Sequence, residues 1–473
     1  MLFFSYLRIM KPILLFNPEH DLALANGDRH FIAPRNIREM AHDLSDIMET
    51  ILPTSDSESS IISALPSAHP FPWGWDPTIV EHFKKMGIPA QELPTDEALA
   101  ALSRRSERIT AHQILSNFHK EHTDNIFIGE SFIARSFEDI STYAERFGHI
   151  LLKAPLSGSG KGLRHVNFND NDDDNKKPKE LSQSSSELIK KNCPSKIGGR
   201  AERNKMEQSG GGMPPSSSAS ALKKVESWAN AIIRRHGYLT VEPYYNKVQD
   251  FAMEFITDTT GCHFIGYSYF ITDEHGRYIA SRLMSDTKAE DLLCTYIPRE
   301  ALHEIRQWIT LHYTDIVPSE WDLTRHSLPF GIDMMIVHER QQSTDNRQQS
   351  ATISDEELEA RDNHPDGFTK HYTLNSKQEN NHSKFTIHPC IEINLRMNMG
   401  IIAHEIYRHH LTPEAEGMFR IARFPDNTSL RAFHDEQTSL HPATYHNNHL
   451  ASGYKTITPI NDETTHLAYI LCE

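Results

Sequence analysis

The sequence predicts an α/β (α+β) chain, and three observations predict it. Short apolar runs of strand length recur between polar turns, as in Lys11-Pro12-Ile13-Leu14-Leu15-Phe16, Ile150-Leu151-Leu152 and Phe330-Gly331-Ile332-Asp333-Met334-Met335-Ile336-Val337. Between them lie stretches with helical spacing, at residues 104–119 through Ile109, Ile114, Leu115 and Phe118, and again near 136–147. A chain of 473 residues also has room for two or three domains with a sizeable core.

The opening Met1–Ile9 is apolar but short, without a basic start or a small-residue cleavage site, so it is a poor signal peptide. Met10 is an alternative start, because the first strand follows it at once. Residues 11–100 read as a small α/β unit. Asn17-Pro18-Glu19-His20-Asp21 comes directly after the first strand, where open α/β sheets bind ligands, although Asn-Pro also builds plain turns. Phe71-Pro72-Trp73-Gly74-Trp75-Asp76 reads as a packed aromatic corner, with a recognition loop as the alternative. Two stretches, about 169–221 and 338–384, are polar and aperiodic. They bury too little apolar surface to offset chain entropy, and they read as insertions within a fold, with a hairpin arm near Phe368–Leu374.

Composition narrows the function. No apolar run reaches 18 residues, so no membrane span is expected. The net charge of −16 argues against nucleic-acid or anionic-membrane partners. Five single cysteines, at 193, 262, 294, 390 and 472, form no CxxC pair and suit a reducing cytoplasm. The 29 histidines show no HExxH or Cys/His zinc spacing, and adjacent His409 and His410 would point apart on a helix.

Two stretches carry chemistry. Lys153-Ala154-Pro155-Leu156-Ser157-Gly158-Ser159-Gly160-Lys161-Gly162 can bring several backbone N–H groups to an anion, because glycine adds no bulk. It is not a P-loop, since Pro155 stands where the first glycine belongs and Gly162 where Ser or Thr would hold magnesium. A ligand-free hairpin turn is the other reading. In Ile387-His388-Pro389-Cys390-Ile391-Glu392-Ile393-Asn394-Leu395-Arg396, strand geometry puts Glu392, Asn394 and Arg396 on one face. Asp333 lies within an apolar strand, where an acid is costly unless paired or coordinating. Asp333, Glu392 and Asn394 together suit magnesium, and Arg396 suits a phosphate or carboxylate. An amphipathic edge hairpin with a solvated face is the alternative.

Taken together these motifs resemble the ATP-grasp superfamily over about residues 104–400. Lys153 and the loop Ser157, Gly158, Ser159, Gly160, Lys161 and Gly162 look like its lysine strand and phosphate-covering loop. Glu242, Pro243, Tyr244 and Tyr245 look like its adenine hinge, and Asp250 like its ribose-binding acid. Asp333, Glu392 and Asn394 look like its metal strands. Arg108 stands where the first nucleotide lysine falls, Asp250 is one methylene shorter than the commoner Glu, and Leu395 replaces the usual proline.

The resemblance implies an N-terminal pre-ATP-grasp domain over 1–103, an ATP-grasp domain over 104–410, and a segment 411–473 with no assigned role. It implies ATP with Mg²⁺ (or Mn²⁺), and an ADP-forming ligase that activates a small-molecule carboxylate for attack by an amine or thiol. Arg396 and Arg282 are then the candidates for the transferring phosphoryl group and the carboxylate. A phosphotransferase or a non-catalytic nucleotide-binding protein is the alternative. Neither the substrate nor the oligomeric state follows from the sequence.

Overall fold

A computed structural model describes residues 12–52, 69–156, 162–167, 217–272, 278–338 and 384–473. The strands fall into three groups. Near the N-terminus, β1 (Ile13–Leu15) and β2 (Pro70–Pro72) form a two-stranded parallel sheet. Next, β3 (Phe132–Ala134), β4 (His149–Lys153), β5 (Leu163–Asn167) and β6 (Leu239–Pro243) form a four-stranded sheet of order β3-β6-β4-β5. The rest is one nine-stranded sheet. Its strands are β7 (Lys247–Asp258), β8 (Gly261–Thr272), β9 (Tyr278–Leu283), β10 (Leu328–His338), β11 (Phe385–Asn394), β12 (Gly417–Arg423), β13 (Thr444–His446), β14 (His449–Thr456) and β15 (His466–Cys472). Their order is β11-β10-β7-β8-β9-β12-β15-β14-β13, so residues 417–472 extend the sheet that carries Asp333 and Glu392.

Local chemistry sets the boundaries. The hairpin β13-β14 turns on Asn447 and Asn448, both at positive φ, as a two-residue loop with the strands' own twist requires. Ser136 and Asp139 form a reciprocal capping box at the start of the helix Phe137–Phe147. Asp76 accepts from the N–H groups of Thr78 and Ile79 at the start of the helix Pro77–Lys85, with Pro at its first position. The helical spacing at 104–119 resolves into two helices, Asp96–Arg105 and Arg108–Glu121. The break falls where the Arg108 N–H leaves the helical register to donate to the Pro155 carbonyl at 2.9 Å. The polar stretch read as ending at 221 ends sooner, because the helix Ser217–His236 starts inside it. The hairpin arm near Phe368–Leu374 lies outside the described residues.

Alternation along the strands gives the large sheet two faces. On one, Phe251, Met253 and Phe255 of β7 and Phe330, Ile332 and Met334 of β10 join a core with the helices Pro77–Lys85, Asp96–Arg105, Arg108–Glu121, Asp286–Leu293 and Arg299–Leu311. Phe251, Phe255 and Phe330 are fully buried, each contributing about 1.5–3 kcal/mol of transfer free energy. On the other face, the helix Met399–His410 packs across β7, β8 and β9 over a second core that includes Leu283, Phe419 and Ile470. Where that face continues onto β10 and β11, it becomes polar.

The tryptophan turn is a packed corner, as its composition suggested. Trp73 and Trp75 are buried, and the Trp73 ring meets Phe16 edge-on at 5.1 Å. Among the described residues no helix is long and apolar enough to cross a membrane.

Candidate active site

The polar face begins with register. Asp333 of β10 stands directly opposite Glu392 of β11, and Gly331 opposite Asn394. A register shift after Asp333 then brings His388 opposite Met335, on the same face. On the other side of β10, Asp333 pairs with Ala252 and Gly331 with Glu254. Antiparallel partners share a face, so Glu254, Asp333, Glu392 and Asn394 project together.

Their hydrogen bonds link them. Asn394 Nδ2 donates to Asp333 Oδ1 at 3.2 Å, while Asn394 Oδ1 accepts from Arg396 Nη2 at 3.3 Å. Burial, and then the neighbouring Glu392 charge, push the Asp333 carboxyl up to about 7. Burial likewise pushes Glu254 up to about 8, although it accepts a 2.7 Å hydrogen bond from Asn398 Nδ2.

Two buried cations approach, Arg108 from a helix on the large sheet and Lys153 from the smaller sheet. Arg108 opens the helix Arg108–Glu121. Its Nε donates to the Ala154 carbonyl at 3.1 Å, and its Nη1 lies 3.0 Å from Glu392 Oε2. The side chain therefore joins the end of β4 to β11. Lys153, at the end of β4, is 2% exposed and pairs with Glu242 Oε2 at 2.5 Å. The pair is diagonal across β4 and β6, since Lys153 opposes Thr240 and Leu151 opposes Glu242. Burial, and then Lys153, push His388 down to about 3 and keep its ring neutral.

The hinge residues join the two sheets. Pro243 ends β6 and Lys247 begins β7. Between them Tyr244 and Tyr245 serve different surroundings. Tyr244 is half exposed and stacks on His149 at 4.0 Å, whereas the Tyr245 hydroxyl accepts from the Glu130 N–H at 2.8 Å and its ring meets His388. Asp250 Oδ2 accepts from Lys247 Nζ at 2.5 Å and Thr272 Oγ1 at 2.9 Å.

Arg396 follows β11. Its Nε and Nη2 donate to the two carboxylate oxygens of Asp21 at 2.9 and 2.8 Å. Burial alone would raise the Asp21 carboxyl, but the Arg396 charge and hydrogen bonds hold it down at about 2. This bidentate pair fastens the short N-terminal helix His20–Asn26 to the acid strands, and the Trp73 carbonyl accepts from the Met397 N–H at 2.9 Å beside it. A small cleft results, with His20, Asp21, Glu392, Asn394 and Arg396 among its walls.

Arg282 is not brought to this cleft, which corrects the sequence reading. It lies on β9 in register with Tyr269, which pairs with Phe251, so it shares the apolar face. There it lies 5.6 Å from the centre of the Tyr269 ring and pairs loosely with Glu416 at 3.6 Å. Ser157, Gly158, Ser159, Gly160 and Lys161 lie outside the described residues, and Gly162 serves as an acceptor for the Ala154 N–H. Sequence reasoning missed Glu254 and His388, and it flagged His20 only as part of the candidate ligand stretch after the first strand, without a role of its own. Glu254 carried the signal that exposed Asp333, an acid within an apolar run.

Among the described residues, no group of three or more His, Cys, Asp or Glu has metal-binding geometry. Asp333 and Glu392 supply two carboxylates, and the third candidate donor, Asn394, is an amide. No protein-family model matches the chain, and no curated protein matches it. Solved structures do match along nearly all of it. An N5-carboxyaminoimidazole synthetase from Staphylococcus aureus complexed with ADP matches at 9% identity, covering 99% of this chain and 95% of that one, with a TM-score of 0.40. A biotin carboxylase–ATP complex from Campylobacter jejuni matches at 12% identity, with coverage of 98% and 87% and a TM-score of 0.42. An L-amino acid ligase from Bacillus licheniformis matches at 10% identity, with coverage of 98% and 94% and a TM-score of 0.40. At these scores the likenesses carry no inference about residues, and the chemistry rests on this chain's own geometry.

Proposed function

We propose that the chain is an ATP- and Mg²⁺-dependent, ADP-forming ligase that activates a carboxylate as an acyl phosphate for attack by an amine or thiol. One observation carries the reading. Two carboxylates on neighbouring strands, Asp333 and Glu392, stand side by side with Asn394 between two arginines, Arg108 and Arg396. The order of lysine strand, hinge and acid strands that resembles the ATP-grasp superfamily supports it.

The residues fit a magnesium ion. Asp333 and Glu392 oppose each other, and desolvation together with the Glu392 charge raises the Asp333 carboxyl, a cost that a dication would offset. Their donors are oxygens, as magnesium prefers. Asn394 now turns Nδ2 to Asp333 and Oδ1 to Arg396, and rotating its amide exchanges the two. Asp333, Glu392 and Asn394 would hold the ion, which would neutralise the outer phosphates when bound.

The chain's own groups supply the rest. Lys153 and Arg108 balance charge on the inner phosphates. The hinge backbone from Pro243 to Tyr245 borders the base, and Asp250 serves the ribose. Arg396, held in a fixed plane by Asp21, presents its guanidinium to the acid substrate or the transferring phosphoryl group.

The test is ADP release from purified protein with ATP, Mg²⁺ and panels of acids and nucleophiles. Release that needs both partners, with amide or thioester as product, supports the ligase. ADP with a stable phosphorylated product makes the chain a phosphotransferase. Magnesium-independent nucleotide binding without turnover makes it non-catalytic.

A further inference from the structure

His20 is an unexplained side chain beside the proposed centre. It is 1% exposed, its Nδ1 is buried without a hydrogen-bond partner, and its ring lines the cleft shared with Glu392, Asn394 and Arg396. The ring fits only because residue 74 is glycine, since a Cβ there would stand 2.4 Å from the imidazole Cγ. Behind the ring, Asp76 Oδ2 lies 3.6 Å from Nδ1. Asp76 is itself fixed, for Oδ1 accepts from the Thr78 and Ile79 N–H groups at 2.8 and 3.0 Å, and Oδ2 accepts from Asn17 Nδ2 at 3.1 Å. This is the layout of an oriented base, with a carboxylate behind an imidazole and a cleft in front. Glu19 adds a buried carboxylate oxygen, Oε2, that also lacks a hydrogen-bond partner.

From this geometry we infer that His20 is the general base for the second half-reaction, and that the nucleophile is an amine entering as its ammonium ion. The inference rests on the ligase reading and deepens it. Glu19 attracts the ammonium, and Asp76 supports the imidazolium as it forms. His20 takes one proton from nitrogen. The nitrogen lone pair then forms the C–N bond to the acyl carbon while the C–O bond to phosphate breaks, its electron pair leaving on the phosphate. The second nitrogen proton leaves with the product as hydrogen phosphate, and His20 returns its proton to water. A thiol enters neutral and gains nothing from Glu19, so the acidic setting selects the amine.

The test uses the full chain with ATP and Mg²⁺, the proteinogenic amino acids as acids, and either hydroxylamine or glycinamide as nucleophile. Hydroxylamine is already neutral near pH 7 and traps an acyl phosphate without a base. His20→Gln is expected to lower amide formation about a hundredfold more than hydroxamate formation. Glu19→Gln is expected to raise the KM for glycinamide while leaving kcat within about twofold. His20→Asn, checked for folding by its thermal transition, guards against a variant that fails to fold. Equal losses in both products, or none, overturn the base assignment. A thiol probe used better than glycinamide overturns the amine. Wild-type protein that forms neither product with any acid overturns the ligase reading itself, and the inference with it.

Discussion

Two charge clusters adjoin the helix Met399–His410, one along its second half and one beyond its first residue, and they are built in opposite ways. In the first, within that helix, Glu405 is fully buried and meets His404 at 3.3 Å, His409 at 3.1 Å and Arg408 at 3.3 Å. His404 also reaches Asp286 at 3.0 Å. Burial alone would raise the Glu405 carboxyl, but its partners pull it to about 2. Burial would lower His404, yet its two carboxylates lift it to about 9. In the second cluster, Asp333 and Glu392 oppose each other with Glu254 alongside, and Asp333 and Glu254 are pushed up instead. Like charges about 5 Å apart repel by roughly 3 kcal/mol at an effective dielectric of about 20. A closed network stabilises a fold, whereas an open one stores a need for a cation, and perturbation of that kind gathers at working sites.

Neutralising the open cluster breaks the comparison most sharply. Asp333→Asn with Glu392→Gln should cut ADP release about a thousandfold while the thermal transition stays level or rises. Unchanged turnover would remove the functional reading of the acid pair. The closed cluster should behave in reverse. Glu405→Gln removes the carboxylate that His404, Arg408 and His409 share, leaving Asp286 on His404, and should cost roughly 3 kcal/mol in urea unfolding. Its ADP release per folded molecule should stay within about twofold.

A smaller effect lies in pH. The folded Glu254 carboxyl sits near 8, above its ordinary 4.5, so its contribution is fully present below about 4.5 and lost as pH rises through 8. His404, lifted from 6.5 to about 9, contributes fully below 6.5 and fades through 9. Glu405 runs the other way, contributing above 4.5 and fading as pH falls toward 2. Without divalent cation, the melting temperature should therefore fall from pH 6.5 to 9, and Glu254→Gln should make that fall shallower. An identical slope in the variant would assign the loss to His404 and Asp333. The smallest effect belongs to Arg282, which faces the apolar side. Arg282→Ala should change stability by no more than about 0.5 kcal/mol and turnover by less than about twofold.

How much of this was legible in the sequence follows from range. Asp333 and Glu392 announce themselves locally, one as an acid in an apolar run and the other by strict alternation with isoleucines. Glu254, in Phe251-Ala252-Met253-Glu254-Phe255, gave the same local signal. Arg282 misled because strand membership alone does not reveal which face a residue takes three strands away. The bond between Asp21 and Arg396 spans 375 positions, and no local pattern encodes a contact that distant. The same applies to His20, whose place depends on Gly74 leaving space and on Asp76 standing behind it.

The strand order of the large sheet also bears on how the chain is made. β9 is bordered on one side by β8, its near neighbour in sequence, and on the other by β12, which emerges from the ribosome only after the second long polar stretch and the whole acid strand. Until then the nascent protein carries a bare edge of unpaired peptide groups, open to mispairing with other chains. Truncation before residue 417 would make that transient hazard permanent.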